Sequence, residues 1–306
     1  MKTLILCNDS MAFPAVQVAV VNGLLHTIVI PEKNRQLIAD AKQVLAGSSV
    51  EIELVNKANF AEKISACISK NNIEVGLVMT FPYILPASVF NLPSKGFYNF
   101  HYGLLPQFRG SQPILRQLLS NSIYAGVTIH QVDAGIDTGK ILKQEKVAIA
   151  LTDTYAILQQ KLAHAAALTF PKVIQLIQAQ EPLLLLQNEQ LACYYPKVTA
   201  ADLTIQWKTM NSQTIIRMVN ACNPWNKSAL STSSQLAIGI TEVEDLGIDE
   251  SNAAQAGEVL CCDESNFIVK TVDKHKLKVT IIYMPEGFFS GSKIARYGMR
   301  AGLFLN

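Results

Sequence analysis

Charge is scarce in this sequence. Only 16% of its 306 residues are Asp, Glu, Lys or Arg, while 49% are apolar. A chain that stays disordered needs the opposite balance, so a packed core is expected. Glycine (16) and proline (12) are too few for a collagen-like or Pro/Gly-dominated chain. No run approaches 18 uninterrupted apolar residues, and the longest aliphatic stretch is LLLL at residues 183–186. No membrane span is therefore expected. The opening MKTLILCNDS is broken at once by Asn8 and Asp9; that is too short for a signal-peptide core and suits a first strand. The six cysteines (Cys7, Cys67, Cys193, Cys222, Cys261, Cys262) form no C-x-x-C pair and no zinc spacing. Cys261 and Cys262 would point to opposite faces of a strand, which disfavours chelation. All six are expected to be reduced thiols of a cytoplasmic protein. The five histidines are dispersed, so no metal is expected. No internal repeat or low-complexity tract is present, and a net charge of +2 by itself points to neither nucleic acid nor an acidic partner.

What is present is an alternation. Apolar runs TLILC (3–7), HTIVI (26–30), VEIELV (50–55) and VGLVMT (75–80) are separated by stretches of helical character at 11–22, 34–46 and 59–71. Strands alternating with helices of about a dozen residues indicate βαβ units and a Rossmann-like, mostly parallel sheet covered on both faces. GFYNFH (96–101), GVTIHQV (126–132) and ILKQEKVAI (141–149) continue as strands. Residues 153–179 read as one long helix with Thr152 or Asp153 as its N-cap. The pattern changes after 180: an irregular stretch, a helix at 211–222, then short β segments with turn residues, as in a small barrel. The expected organisation is a catalytic domain at 1–180, a linker at 181–206 and a barrel-like domain at 207–306.

One segment concentrates chemistry. Asn99 and His101, two apart on a strand, share a face, at the C-terminal end where open α/β sheets place their sites. Leu104-Leu105-Pro106 and Arg109-Gly110 lead into a helix with Pro113 in its first turn. A second loop, Asp133-Ala134-Gly135-Ile136-Asp137-Thr138-Gly139, holds two acids and two glycines in seven residues. Asp133 alone reads as a turn residue, and His130 as a packed or hydrogen-bonded structural histidine. His26, His164 and His275 have no motif around them.

The ordered set Asn99, His101, Leu104-Leu105-Pro106, Gly110, Gly126-Val127-Thr128 and Asp137 resembles the signature of the folate-dependent formyltransferase family. Asp202, Trp207, Asn223-Pro224-Trp225 and the barrel-like tail resemble its two-domain branch, which includes methionyl-tRNA formyltransferases and amino-sugar N-formyltransferases. The resemblance implies an OB-like second domain, 10-formyltetrahydrofolate as co-substrate, no metal, and Asn99, His101 and Asp137 as catalytic residues. Asn99 would donate to the developing oxyanion, while His101 and Asp137 would move protons, their duties undivided at this stage. It also implies that Phe81, Pro82, Tyr83, Ile84 and Leu85, with Leu104, Asp133 and Gly135, border the folate, although 81–85 alone also reads as a core-shielding connector. Tyr102, Gly103, Arg109 and Gly110 are expected near the acceptor; Arg109 either meets an acidic group or holds its loop.

Three departures from the tRNA-modifying branch favour a small amine acceptor, such as an amino sugar, a sugar nucleotide or a secondary-metabolite amine. Pro31-Glu32-Lys33-Asn34 leads straight into a helix where that branch carries a long basic loop. Asn8-Asp9-Ser10-Met11 lacks its Gly-Thr-Pro. Residues 201–306 carry 10 basic and 11 acidic side chains, where a tRNA-docking barrel would be basic. Gly103 stands where many relatives have Ser. Methionyl-tRNA is the alternative acceptor, and a non-catalytic folate- or ligand-binding protein is the alternative of another class.

Overall fold

The computed structural model describes residues 1–179, 182–233, 236–250 and 253–306. The chain divides into two compact units. The first comprises Met1–Pro113, Tyr124–Ala148 and Gln159–Pro196; the second comprises Ile114–Ile123, Ile149–Leu158 and Lys197–Asn306. The boundary expected at 180/181 falls on residues outside the described ones.

The first unit is built on a seven-stranded sheet. Its strands are β1 (Thr3–Cys7), β2 (Leu25–Pro31), β3 (Glu51–Val55), β4 (Val75–Met79), β5 (Phe97–His101), β7 (Tyr124–Gln131) and β8 (Ile141–Ala148), with the two-residue β6 (Arg109–Gly110) apart. The spatial order is β3-β2-β1-β4-β5-β7-β8. β1 to β5 run parallel, and β7 and β8 are antiparallel additions. This is the Rossmann-like mixed sheet expected, with the order reversing at β1, which opens a crevice at the C-terminal ends of β1 and β4. β1 is buried at all five positions, as a strand covered on both faces must be.

The connecting helices are α1 (Phe13–Val21), α2 (Arg35–Val44), α3 (Phe60–Asn71) and the short α4 (Ala87–Phe90). Asn34 caps α2 through its side-chain oxygen and Leu37 N–H. After α5 (Pro113–Leu119) comes α6 (Tyr155–Gln178). Its start differs from the expectation: Thr154, not Thr152 or Asp153, receives the Ile157 N–H at 3.3 Å. Asp153 turns back onto Ala150 N–H instead (2.9 Å). Phe170 of α6 stacks on Phe100 of β5, with ring centroids 6.1 Å apart, so the face of β5 opposite Asn99 and His101 is anchored in core. β9 (Tyr194–Tyr195) pairs with β6.

The second unit holds α7 (Ser212–Cys222), capped by Asn211, and an antiparallel sheet. Its strands are β10 (Ala229–Thr232), β11 (Ala237–Ile248), β12 (Val259–Cys262), β13 (Phe267–Lys270), β14 (His275–Met284) and β15 (Gly287–Ser290), in the order β10-β11-β14-β13-β12. The two outer strands are joined by the last residues. Leu305 N donates to Gly257 O, and Thr232 and Asn306 exchange both main-chain bonds (3.2 and 2.7 Å). The final segment therefore covers two sheet edges at once and closes the ring, the device by which small β domains remove exposed edges. Leu305 is fully buried, and Trp207, also buried, donates its indole N–H to Ser231 Oγ at 3.0 Å. Among the described residues no helix is long and apolar enough to cross a membrane.

If Leu305 closes the ring, Leu305→Ala leaves a cavity in the closing strand. It should lower unfolding free energy by about 2–4 kcal/mol, read in urea melts followed by tryptophan fluorescence. A loss below about 0.5 kcal/mol would mean that the ring holds without it.

Candidate active site

β5 ends at His101, and β7 pairs beside it so that Asn99 lies opposite His130 and His101 opposite Thr128. These four side chains share one face of the sheet because opposed residues of an antiparallel pair point the same way. Thr128 ties down the loop that follows β5. Its hydroxyl donates to Gly103 O (2.6 Å) and accepts from Leu105 N (3.1 Å). Gln144 of β8 adds bonds to Leu105 O (2.7 Å) and to the same hydroxyl (3.0 Å). The loop between β7 and β8 then brings Asp137 back over Asn99 and His101. Asp137 adopts a left-handed backbone, φ 56°, uncommon for a residue with a side chain.

The Asp137 carboxylate is the hub. Oδ1 lies 3.4 Å from Asn99 Nδ2, 3.5 Å from His101 Nδ1 and 3.5 Å from His130 Nε2. Oδ2 accepts from Gly110 N at 2.9 Å. Its side chain is 11% exposed and that of His101 6%. Burial alone would raise the carboxyl pKa. The two imidazoles and the Gly110 N–H outweigh it and hold the group down, to about 2. The His101 pKa is also lowered, which for an imidazole favours the neutral form: burial lowers it, and Asp137 only partly compensates.

Backbone carbonyls fix both histidine tautomers. His101 Nε2 lies 2.6 Å from Phe108 O, and His130 Nδ1 lies 2.7 Å from Gln131 O. Each of those nitrogens must carry its proton, because a carbonyl only accepts. The nitrogen of His101 that faces Asp137 is therefore the basic one. His130 Nε2 has an N–H of Asn99 for its lone pair, at 3.2 Å.

The structure thus brings Asn99, His101 and Asp137 together, and beside them it places His130 and Gln144, which the sequence alone did not put there, and Thr128 of the signature. His130 belongs to the cluster rather than only to the core, and Thr128 and Gln144 hold the loop. The pointer to His130 is the β5–β7 register, which a motif does not reveal. Gly103 is buried against the site: a Cβ there would come within 2.8 Å of His101 Nε2 and of Pro113 Cβ. Its lack of a side chain lets the loop close on the imidazole. Gly110, at φ 99°, lies under Tyr195 O, which a Cβ would strike.

Other expected site residues lie elsewhere in character. Arg109, expected either to meet an acidic group near the acceptor or to hold its loop, is 7% exposed, and its guanidinium is engaged by Gln187 and by the exposed Glu189. It holds its loop. Tyr102 is buried, which pushes its phenol pKa up. Asp133 is a turn former, accepting from Gly135 N (3.1 Å) and Thr138 Oγ1 (2.7 Å). Phe81, Tyr83 and Leu85 pack on a core that includes Ile64 and Val89, and Phe81 and Tyr83 meet Phe60 at 6.4 and 5.0 Å between centroids. Ile84 points outward, 74% exposed, and Pro82 is exposed as well. Leu104 is half-buried. Among the described residues no group of three His, Cys, Asp or Glu side chains is placed to hold a metal ion.

A doubly wound domain with a buried Asn–His–Asp cluster at its carboxyl edge defines a site able to polarise a carbonyl and to exchange a proton beside it. The chain belongs to the formyl transferase family: residues 24–174 match the formyl transferase model and residues 197–287 match that of the formyl transferase C-terminal domain. It is 32% identical over 197 residues to methionyl-tRNA formyltransferase of Nitrosomonas eutropha, and 32% identical over 207 residues to that of Nitrosospira multiformis. These alignments take in 64% and 66% of this chain but 61% and 66% of the relatives, so the chain spans less than two thirds of their length. The N-formyltransferase of Helicobacter canadensis, solved on complex with folinic acid and dTDP-3-aminofucose, has a similar fold. Its TM-score is 0.65 at 18% identity, over 91% of this chain and 98% of that one.

Asp137 binds its proton more weakly in the folded protein, near 2, than unfolded, near 3.8. Its contribution to stability is therefore present above the unfolded value and lost as pH falls from about 4 towards 2. Asp137→Asn should flatten the loss of stability over that window by about 2 kcal/mol, measured by denaturant melts at stepped pH. An unchanged slope would mean that the carboxylate is not held by its neighbours.

Proposed function

We propose that the protein transfers the formyl group of 10-formyltetrahydrofolate to a primary amine of a small acceptor, an amino sugar or sugar nucleotide. The observation that carries this reading is the cluster of Asn99, His101 and Asp137 at the end of β5, in a chain of the formyl transferase family. In the proposed reaction the acceptor nitrogen adds to the formyl carbon, and charge builds on the formyl oxygen. Asn99 Nδ2 offers its N–H to that oxygen, a contribution typically worth ~10²–10³ in rate. The added nitrogen becomes acidic, and His101 Nδ1, kept basic by the proton on Nε2, takes its proton; such groups give ~10²–10⁴. Asp137, ionised, stabilises the imidazolium that results. The proton is then available to N10 of the folate as the C–N bond breaks.

The folate would lie along the carboxyl edge of the sheet, beside Ile84 and the main chain of residues 133–137. Residues 1–180 form the catalytic domain of this reading, 181–206 its linker and 207–306 the barrel domain. The small-amine acceptor draws support from the dTDP-3-aminofucose bound by the Helicobacter canadensis neighbour and from the lack of net positive charge over residues 201–306. A second reading, transfer to methionyl-tRNA, is favoured by the names of the two Nitrosomonas and Nitrosospira relatives.

Tetrahydrofolate release from 10-formyltetrahydrofolate, followed with amino-sugar nucleotides, amino acids and charged initiator tRNA in turn, tests the assignment. Acceleration by an amino-sugar nucleotide and none by tRNA is expected; the reverse would make the second reading the correct one. Asn99→Ala, His101→Ala and Asp137→Ala should each lower turnover by roughly 10²–10⁴. A folded variant with near wild-type turnover removes that residue from the mechanism, and no release with any acceptor removes the transfer reading itself.

A further inference from the structure

Between Leu185 and Tyr195 the chain crosses both loops of the site. Leu185 exchanges main-chain bonds with Ile141 (2.8 Å each way), at the foot of the loop that carries Asp137. Further on, Cys193 N donates to Pro106 O (3.1 Å) and Cys193 O accepts from Arg109 N (3.0 Å). Tyr195 stacks on Phe108, with centroids 6.0 Å apart and planes 16° apart. The segment is thus fastened to one loop at its start and to the other at its end.

Gln187 lies between these fastenings, and its amide is fully used. Nε2 donates to the main-chain oxygens of Asp137 and Gly139, each at 2.8 Å. Oε1 accepts from Arg109 Nε (3.1 Å) and Nη2 (2.8 Å). Glu189 takes the remaining edge of the guanidinium at 2.9 and 2.6 Å, which fixes the fork that Gln187 meets. The amide cannot be turned over: its N–H groups would then face a cation and its oxygen two carbonyls.

These bonds close a circuit. Gln187 binds Arg109; the next residue, Gly110, binds Asp137 Oδ2; and the Asp137 carbonyl binds Gln187. Asp137 sits at φ 56°, a conformation that is unfavourable for a residue with a side chain and persists where surroundings over-determine it. The circuit grips the residue at both ends, side chain and main chain, and leaves Oδ1 turned to His101.

We propose that Gln187 is a positioning residue of the transfer site, which holds the Asp137 carboxylate against His101 through this circuit, with Arg109 and Glu189 orienting its amide. The proposal rests on the reading of His101 and Asp137 given under Proposed function. Segment 185–195 is on this view a working part of the site, although it contributes no group to the reacting atoms.

The test is Gln187→Glu and Gln187→Ala in the full chain. The glutamate keeps the acceptor for Arg109 and loses the donors to Asp137 and Gly139, so it isolates the positioning bond. The first readout needs no ligand: NMR titration of the His101 imidazole, with His164 and His275 as references. Because Asp137 favours the charged imidazole, its displacement should move the His101 midpoint to lower pH and leave the references unmoved. The second readout is turnover with whichever acceptor accelerates tetrahydrofolate release: kcat should fall roughly 10- to 100-fold, with KM for the folate within about twofold. A folded Gln187→Glu protein with unchanged His101 midpoint and unchanged kcat overturns the proposal. A moved midpoint with unchanged kcat supports the positioning of Asp137 and overturns the catalytic reading of it. Should the glutamate variant fail to fold, Arg109→Lys, which keeps the charge but loses the planar fork, supplies both readouts, and the same outcomes support or overturn the proposal.

Discussion

A carboxylate that is 11% exposed sets the terms for everything around it. An unpaired charge at such a site is costly by several kcal/mol, so Asp137 is tolerable only where donors converge. The donors are the Asn99 side chain from β5 and the Gly110 N–H from the loop between, while His101 of β5 and His130 of β7 set ring nitrogens beside Oδ1 that can carry a compensating positive charge when protonated. Each donor demands that its element sit in one place. β5 and β7 must pair in the register that sets Asn99 against His130. The 104–110 loop must fold back far enough for Gly110 to reach Oδ2, which the Thr128 and Gln144 bonds secure. The sheet's ordinary packing, Phe100 on Phe170 behind the site, gives those demands a rigid base.

How much of this the sequence discloses follows from the range of each interaction. The alternation of apolar strands with helical stretches is local, and the parallel sheet could be read from it. Asn99 and His101 share a face through the period of two along a single strand, so that half of the cluster was legible too. Asp137 joined them through its place in an ordered signature and not through any local rule. His130 reads from the sequence as a packed or hydrogen-bonded structural histidine; its place beside Asn99 and Asp137 depends on the β5–β7 register, a non-local quantity. Gln187 was not found for a stronger version of the same reason: its partners are 48 to 78 positions away, and it lies in a stretch whose irregularity reads as connector. Arg109 shows how an apparent recognition residue is consumed by an internal partner that the sequence alone does not locate. The segment 81–85 shows the opposite ambiguity, since aromatic side chains that would suit a heterocycle are packed on Phe60 and the core.

The second unit was legible by composition and not by closure. Short strands with turn residues point to a small antiparallel domain, and β10 to β15 provide it. What joins the two outer strands of that sheet, β10 and β12, is the segment ending at Asn306. No propensity marks it as a strand, because its regularity comes from the two edges that it satisfies. The same dependence on partners explains Trp207, whose indole N–H needs Ser231 before it can be buried without cost.

For the proposed reaction, the arrangement of protons favours a division of duties that residue types alone left open. His101 and Asp137 are both able to accept a proton in principle, and nothing in a motif divides the duty. Here the Phe108 carbonyl commits His101 Nε2 to carrying its hydrogen, which leaves Nδ1 as the basic atom and turns it towards an ionised carboxylate. Asp137 is held low by its neighbours, so it is a poor base and a good partner for a cation. His130 is excluded from the same duty, since its Nε2 lone pair meets an Asn99 N–H. Both amide hydrogens of Asn99 are engaged, one by His130 and one by Asp137. At 3.4 Å the bond to Asp137 is the weaker of the two, and in the proposed reaction it is the one that yields to a developing oxyanion. Giving up that N–H would strengthen Asp137's demand for a positive neighbour at the moment His101 takes up the amine proton. The two events would then favour each other through a single carboxylate oxygen, which makes the placement of that oxygen the quantity the surrounding loops have to control.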